Sequence, residues 1–172
     1  MKADEYDWFI GDPSGFIFRH HLPSICGRLK GLQSLPPLHN FISYTMGIPF
    51  GLVPFNSAEA TDAFNTMREA GNEVTRLATY SLRFSERLKK EGSPPQFGAM
   101  TQAPFNTLGD YLLGTKGLTL DMCKRPDKVI KACEKLLPYM FEMAVKPDRA
   151  SRNPRSFIPL HKGLDGFPSI VY

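Results

Sequence analysis

Apolar residues recur at helical spacing through the middle of the chain. From Ser57 onward they return every three or four positions, with charged residues between them. The apolar set is Ala60, Phe64, Met67, Val74, Leu77, Ala78, Phe84 and Leu88. Ser57 suits the N-cap position and Gly92 the C-cap, just before two prolines. The pattern predicts one long helix, or two nearly collinear helices separated near Gly71-Asn72.

A second apolar periodicity predicts a helix from about Pro126 to Val145. Proline suits the first helical turn, and Asp127 suits the positive end of the helix dipole. The broad apolar face consists of Val129, Ile130, Cys133, Leu136, Leu137, Met140 and Phe141. Pro138 lies inside the segment and predicts a kink, and Pro147 predicts the end of the helix.

Short apolar runs flank this second helix. Residues 97–100 and 156–160 both have the length and composition of strands, and the latter is expected to be buried. Because a helix connects them, the two strands should be parallel with a right-handed crossover. The sequence therefore predicts an α/β fold.

The loops that follow these two runs contain the candidate site residues. The first loop offers Gln102, Asn106, Asp110 and Tyr111, and the second offers His161, Lys162 and Asp165. Parallel strands place such loops at one rim, where these groups could bind carboxylates and move protons. His161 is the strongest candidate because it directly follows the apolar strand. Structural roles remain open: Asp110 as a helix cap, Tyr111 in the core, and Lys162 in solvent.

Composition bounds the class of protein. The 172 residues suffice for one domain, with 42% apolar and 22% charged residues. A run of ~18 apolar residues does not occur, so we expect no membrane span. The net charge of +4 is too small to indicate nucleic-acid binding. Three dispersed cysteines and an acidic N-terminus that lacks secretory-signal character favour a cytoplasmic location.

Known metal and cofactor motifs are missing from the sequence. Histidines, cysteines and carboxylates do not occur at zinc-ligand spacing. Neither a phosphate-binding glycine loop nor a Gly-x-Ser-x-Gly elbow occurs. We therefore expect neither a metal nor a cofactor.

Several short motifs occur in an order typical of one enzyme family. They are Ala103–Phe105, Thr107-Leu108 with Tyr111, Arg125-Pro126, Leu137–Tyr139 and Phe157–Gly163. In this order and spacing the chain resembles the uroporphyrinogen decarboxylase family, which also contains corrinoid-linked methyltransferases. The N-terminal segment 2–7 and the segment 158–163 are similar to an uncharacterised branch of that family.

This resemblance implies a fold and an activity. It implies a helix-rich, partial (β/α)₈ TIM barrel with about three parallel strands, in which residues 1–172 form a single domain. The family's reaction removes acetate carboxyl groups from a tetrapyrrole without a cofactor. Tyr111 matches the family's active-site tyrosine if one residue is inserted at Asn106. The family's N-terminal arginine motif is absent from this sequence, so the chain alone is expected to be inactive.

The length of the chain favours a fragment of a barrel, and functions other than that of a decarboxylase stay open. A complete barrel needs ~200 residues or more. An open half-barrel would expose strand edges, through which the chain could associate with itself. The ligand would be a tetrapyrrole or a corrinoid-like small molecule. The alternatives are a corrinoid-dependent methyltransferase-like protein and a non-catalytic binding or interaction module.

Overall fold

The structure, a computed structural model, describes residues 1–151, 153 and 155–160, with only the backbone of residues 146–151. The chain divides into two compact units. One unit is Gly11–Arg87. The other combines Met1–Ile10 with the described residues from Leu88 onward.

The Gly11–Arg87 unit consists of helices and helical turns. In chain order they are α2 (Pro13–Phe16), a π-helical turn (Ile17–His21), α3 (Leu22–Ile25), 3₁₀ helices Gly27–Ser34 and Leu38–Ile42, α4 (Gly47–Leu52), a 3₁₀ turn (Val53–Asn56) and most of α5 (Ala58–Lys90). Its core cluster is Leu29, Leu32, Leu35, Ala60 and Ala63, against which Phe18, Phe55 and Phe64 pack. At Gly31 a Cβ atom would lie 2.0 Å from the carbonyl oxygen of Glu59, so this close approach requires glycine.

Helix α5 forms one uninterrupted helix, Ala58–Lys90, with both predicted caps. The Ser57 hydroxyl accepts a hydrogen bond from the amide of Ala60 at 3.1 Å. Gly92 has φ +82°, and the amide of Ser93 donates to the carbonyl of Leu88 at 2.9 Å. This is the Schellman arrangement that a C-terminal glycine favours. The one-helix prediction is confirmed, and the break near Gly71-Asn72 does not occur.

The other unit contains the described strands. Its elements are α1 (Tyr6–Gly11), β1 (Ala99–Met100), α6 (Pro104–Thr107), a π-helical turn (Leu108–Leu113), α7 (Gly114–Lys124), α8 (Pro126–Ser151) and β2 (Ser156–Phe157). Its most deeply buried apolar side chains include Tyr6, Phe9, Leu108, Leu118 and Ala132. Helix α8 begins at the predicted residue but continues through Pro147 to Ser151, so the predicted end is wrong. A proline removes one backbone hydrogen bond of a helix, and the bonds on either side can persist.

Strands β1 and β2 pair in parallel, as predicted from the sequence. Ala99 lies opposite Ser156, and Met100 lies opposite Phe157. The amide of Thr101 donates to the carbonyl of Phe157 at 3.1 Å. The expectation that the second strand is buried is wrong, because Ser156, Phe157 and Ile158 are all exposed.

The predicted partial barrel with about three strands is wrong. The described residues are helix-rich, and their only sheet has two strands of two residues each. The physical reason lies in the apolar pattern. Most apolar residues recur at three- and four-residue spacing, which buries one face of a helix, whereas period-two alternation is confined to very short runs.

Candidate ligand-binding groove

The polar residues predicted after β1 lie only partly together. Nε2 of Gln102 is 3.5 Å from Oδ2 of Asp110, the outer limit of a hydrogen bond. The hydroxyl of Thr107 is also 3.5 Å from Oε1 of Gln102. Tyr111 lies on the following π-helical turn, and its side chain is exposed. Gln102, Thr107 and Asp110 thus form a loose, partly exposed cluster around α6.

Asn106 has a structural partner in the fold. Its side chain is buried, and Nδ2 donates to the carbonyl oxygen of Pro159 at 2.9 Å. This hydrogen bond joins α6 to the chain just after β2. Because the donor is engaged with the backbone, we assign Asn106 a role in holding these two segments together.

The predicted residues His161, Lys162 and Asp165 lie outside the described residues. Their joint placement with Tyr111 therefore stays a prediction.

A largely apolar groove lies beside α6 and α8. It has a volume of about 540 Å³. Its lining residues are Ala103, Pro104, Phe105, Met122, Pro126, Val129, Ile130, Cys133, Glu134 and Leu137. The proline that begins α6 and the proline that begins α8 both belong to this wall. The groove therefore begins one residue after Gln102 and runs along the apolar face of α8.

Among the described residues that line the groove, Glu134 is the one that carries a charge. Burial and, to a lesser extent, the neighbouring Glu134 charge raise the pKa of the Cys133 thiol to about 11. At neutral pH the thiol therefore keeps its proton and is a poor nucleophile. The groove offers apolar contact and one carboxylate, and it does not offer an activated thiolate.

A separate buried polar cluster supports the same unit. The Tyr6 hydroxyl donates to Oδ2 of Asp121 at 3.0 Å, and Asp121 also forms an ion pair with Arg125. Burial, followed by the hydrogen bond to Asp121, raises the pKa of Tyr6. Nearby, Nζ of Lys128 lies 2.6 Å from Asp7. These contacts join α1 to α7 and α8, and their geometry is that of a structural network.

Sequence reasoning missed the groove. The signal in the sequence was the width of the apolar face of α8, which is broader than the face with which a helix packs against one core. Ile130 and Leu137 lie on that face and remain exposed in the structure. Nothing in the sequence indicated that the Ala103–Phe105 segment would form the opposite wall.

Metal binding, membrane-spanning helices and similarity to known proteins also bear on the function. Within the described ranges, His, Cys, Asp and Glu residues do not form a group of three that could hold a metal ion. In the same part of the chain, every helix is too short or too polar to cross a membrane. Comparison with protein-family models, curated proteins and solved structures gives no match.

Proposed function

We propose that the unit containing α6 and α8 is a non-catalytic binding module for a compact apolar molecule. The groove of about 540 Å³ is the observation on which this proposal depends. Ligand pockets typically measure ~300–1,000 Å³ and combine apolar walls with few polar groups. The raised pKa of Cys133 argues against this thiol as a nucleophile in the groove.

The charge of the groove narrows the ligand class. Glu134 is an exposed residue of the groove lining, and its carboxylate would repel an anionic group on the ligand. A neutral ligand avoids this cost, and a cationic amphiphile would gain an attractive partner. We therefore assign the groove to neutral or cationic apolar molecules.

Titration with the neutral fluorescent dye Nile red tests this function. Leu137→Ser, in the groove, should weaken binding roughly fivefold to tenfold, because an apolar contact worth ~1 kcal/mol is lost. Met143→Ser is the matched control, since Leu137 and Met143 are 57% and 52% exposed on the same helix and only Leu137 lines the groove. Equal affinity of both variants and the unaltered chain would refute the proposal.

The preference of the groove for neutral or cationic ligands is tested separately. Glu134→Gln should weaken binding of dodecyltrimethylammonium severalfold and leave Nile red binding unchanged. Isothermal titration calorimetry measures the cation, and fluorescence measures the dye. If both ligands respond alike, Glu134 does not set the charge preference.

Action on a carboxylated tetrapyrrole is the second candidate function. Its support is the parallel pairing of β1 with β2 in the segment that resembles uroporphyrinogen decarboxylases. In this proposal Tyr111 donates to the substrate, His161 binds it or transfers a proton, and Lys162 pairs with a carboxylate. Gln102, Asp110 and Asp165 complete the polar rim. A methyl-corrinoid substrate is the related possibility.

Porphyrin titration separates the two candidate functions. Tetrapyrrole binding requires that uroporphyrin bind tightly and that His161→Ala weaken it about tenfold or more, the scale of one charge-assisted contact. The apolar-groove function requires that the His161→Ala chain still bind Nile red. Absorbance titration of both chains with both ligands gives the comparison. Uroporphyrin binding that is absent, or insensitive to His161, would eliminate the second candidate.

A further inference from the structure

The second half of α5 has an exposed apolar stripe. Val74, Leu77 and Phe84 are each 64% exposed, although they recur on one side of the helix. Met67, one turn earlier, packs against the core cluster of its own unit. The exposed stripe therefore begins at Ala70, after the part of α5 that serves the intramolecular core.

The spacing of this stripe is that of a coiled coil. Apolar or small residues alternate at intervals of four and three: Ala70, Val74, Leu77, Ser81, Phe84 and Leu88. We call these positions the α5 seam. In heptad notation Val74, Ser81 and Leu88 are a positions, and the other three are d positions. The seam spans about 28 Å at 1.5 Å per residue.

We propose that the α5 seam packs antiparallel against the α5 seam of a second copy of this chain. An antiparallel pair places each a residue opposite a d residue of its partner helix. One register uses the entire seam: Ala70 faces Leu88 of the second copy, Val74 faces Phe84, and Leu77 faces Ser81. Each layer combines a smaller side chain with a larger one, which fills space evenly.

The charges beside the seam complement each other in the same register. The g positions are Glu73, Tyr80 and Arg87, and antiparallel helices bring g residues together. Glu73 then faces Arg87 of the second copy, and the symmetry repeats that pair. A parallel pair would instead place Glu73 opposite Ala78. Glu73 also contacts Arg76 at 2.9 Å within its own helix, where both side chains are exposed. It can therefore interact with both arginines.

Small residues line the other flank of the seam. The e positions are Gly71, Ala78 and Ser85. A Cβ atom at Gly71 would meet no atom within 4 Å, so its space is open. Glycine inside a helix costs about 1 kcal/mol relative to alanine. The open space at Gly71 would allow a second helix to approach closely. Because the seam is short, we expect a weak dimer whose population depends on the protein concentration.

Sedimentation equilibrium of the full chain over a concentration series tests the dimer. We expect reversible association of the unaltered chain and no association of Phe84→Lys, which places a charge in the seam. Leu82→Lys is the control, because Leu82 is 66% exposed, like Phe84 at 64%, and lies outside the seam. Circular dichroism verifies that both variants keep their helix content. A chain that is monomeric at every concentration, or equal behaviour of both variants, would overturn the proposal.

Charge reversal tests the orientation and register. Glu73→Arg and Arg87→Glu, each alone, should raise the dissociation constant about tenfold, because two attractive pairs become repulsive. The double variant Glu73→Arg/Arg87→Glu restores both pairs and should return to within about threefold of the original value. Glu86→Arg, outside the seam, controls for net charge. Additive losses in the double variant would contradict this register.

A partner other than a second copy at the α5 seam would give different results in these experiments. A monomeric chain that binds vesicles of phosphatidylcholine and phosphatidylserine would assign the seam to a membrane surface and overturn the dimer. The groove is formed by other elements, so Nile red binding should survive Phe84→Lys. Failure of the dimer is therefore distinguishable from failure of the proposed binding function.

Discussion

The hydroxyl of Tyr6 and the carboxylate of Asp121 share a buried hydrogen bond of 3.0 Å, and this contact can be tested by removing one atom. Tyr6→Phe keeps the ring but leaves Asp121 with one donor fewer. We expect a loss of about 1–3 kcal/mol in the free energy of unfolding, measured by urea denaturation. Tyr111→Phe is the control, because the Tyr111 side chain is exposed. Equal stability of both variants would show that the bond contributes nothing.

The thiol of Cys133 makes stability depend on alkaline pH. Its pKa rises from 9.0 to about 11 in the folded chain. Between these values the folded state binds more protons than the unfolded state, so stability falls as pH rises. Cys133→Ala should therefore lose less stability than the unaltered chain between pH 9 and 11. Urea unfolding at several pH values measures this, with Cys123→Ala, at an exposed position, as the control. A parallel decline of all three chains would contradict the shift.

At this scale the sequence identified residue types better than residue roles. Asn106 was predicted as a ligand contact, which stays a prediction, and the structure adds that its side chain is buried and donates to Pro159. Asp121 drew no attention in the sequence, because its partner Tyr6 is far away along the chain. Roles depend on neighbours in space, and one sequence does not reveal them.

At the element scale, local rules were most successful in α5. Ser57 and Gly92 cap the helix at the predicted ends, because cap preferences act within a few residues. Helix α8 was less well predicted, since it continues beyond Pro147. Pro138 and Pro147 each remove one backbone hydrogen bond of α8, and the bonds on either side sustain the helix.

The N-cap of α5 gives an element-scale prediction. Ser57→Ala removes the acceptor for the amide of Ala60 and should cost about 1 kcal/mol of stability. Urea denaturation followed by circular dichroism measures the change. Thr79→Ala, in the middle of the same helix, is the control. If Ser57→Ala is as stable as that control, the cap does not stabilise the helix.

At the scale of the whole molecule, the barrel that the family resemblance implied is wrong. One strand-helix-strand pairing was predicted correctly, and its extension to a barrel was wrong. A parallel pair is compatible with many architectures, because the number of strands depends on the rest of the chain. Here the described remainder consists mainly of helices and helical turns.

The core of the Gly11–Arg87 unit is small, which makes each buried residue important. Leu32 is fully buried in its cluster, so Leu32→Ala should cost about 2–5 kcal/mol. Hydrogen exchange in peptides from Gly11–Arg87 should accelerate accordingly. Leu82→Ala is the control, because Leu82 is exposed on α5 and lies outside the α5 seam. Similar exchange in both variants would show that this cluster does not hold the unit together.

The sequence by itself determined where α5 and α8 begin, which of their faces are apolar and which two runs pair as strands. These features follow from spacing and capping, which are properties of neighbouring residues. Only the tertiary structure decided that Ala103–Phe105 lines a groove together with α8, that Asn106 donates to Pro159, and that Val74, Leu77 and Phe84 of α5 are exposed. Those outcomes depend on which surfaces meet, and the free energy of such contacts is shared among segments distant along the chain.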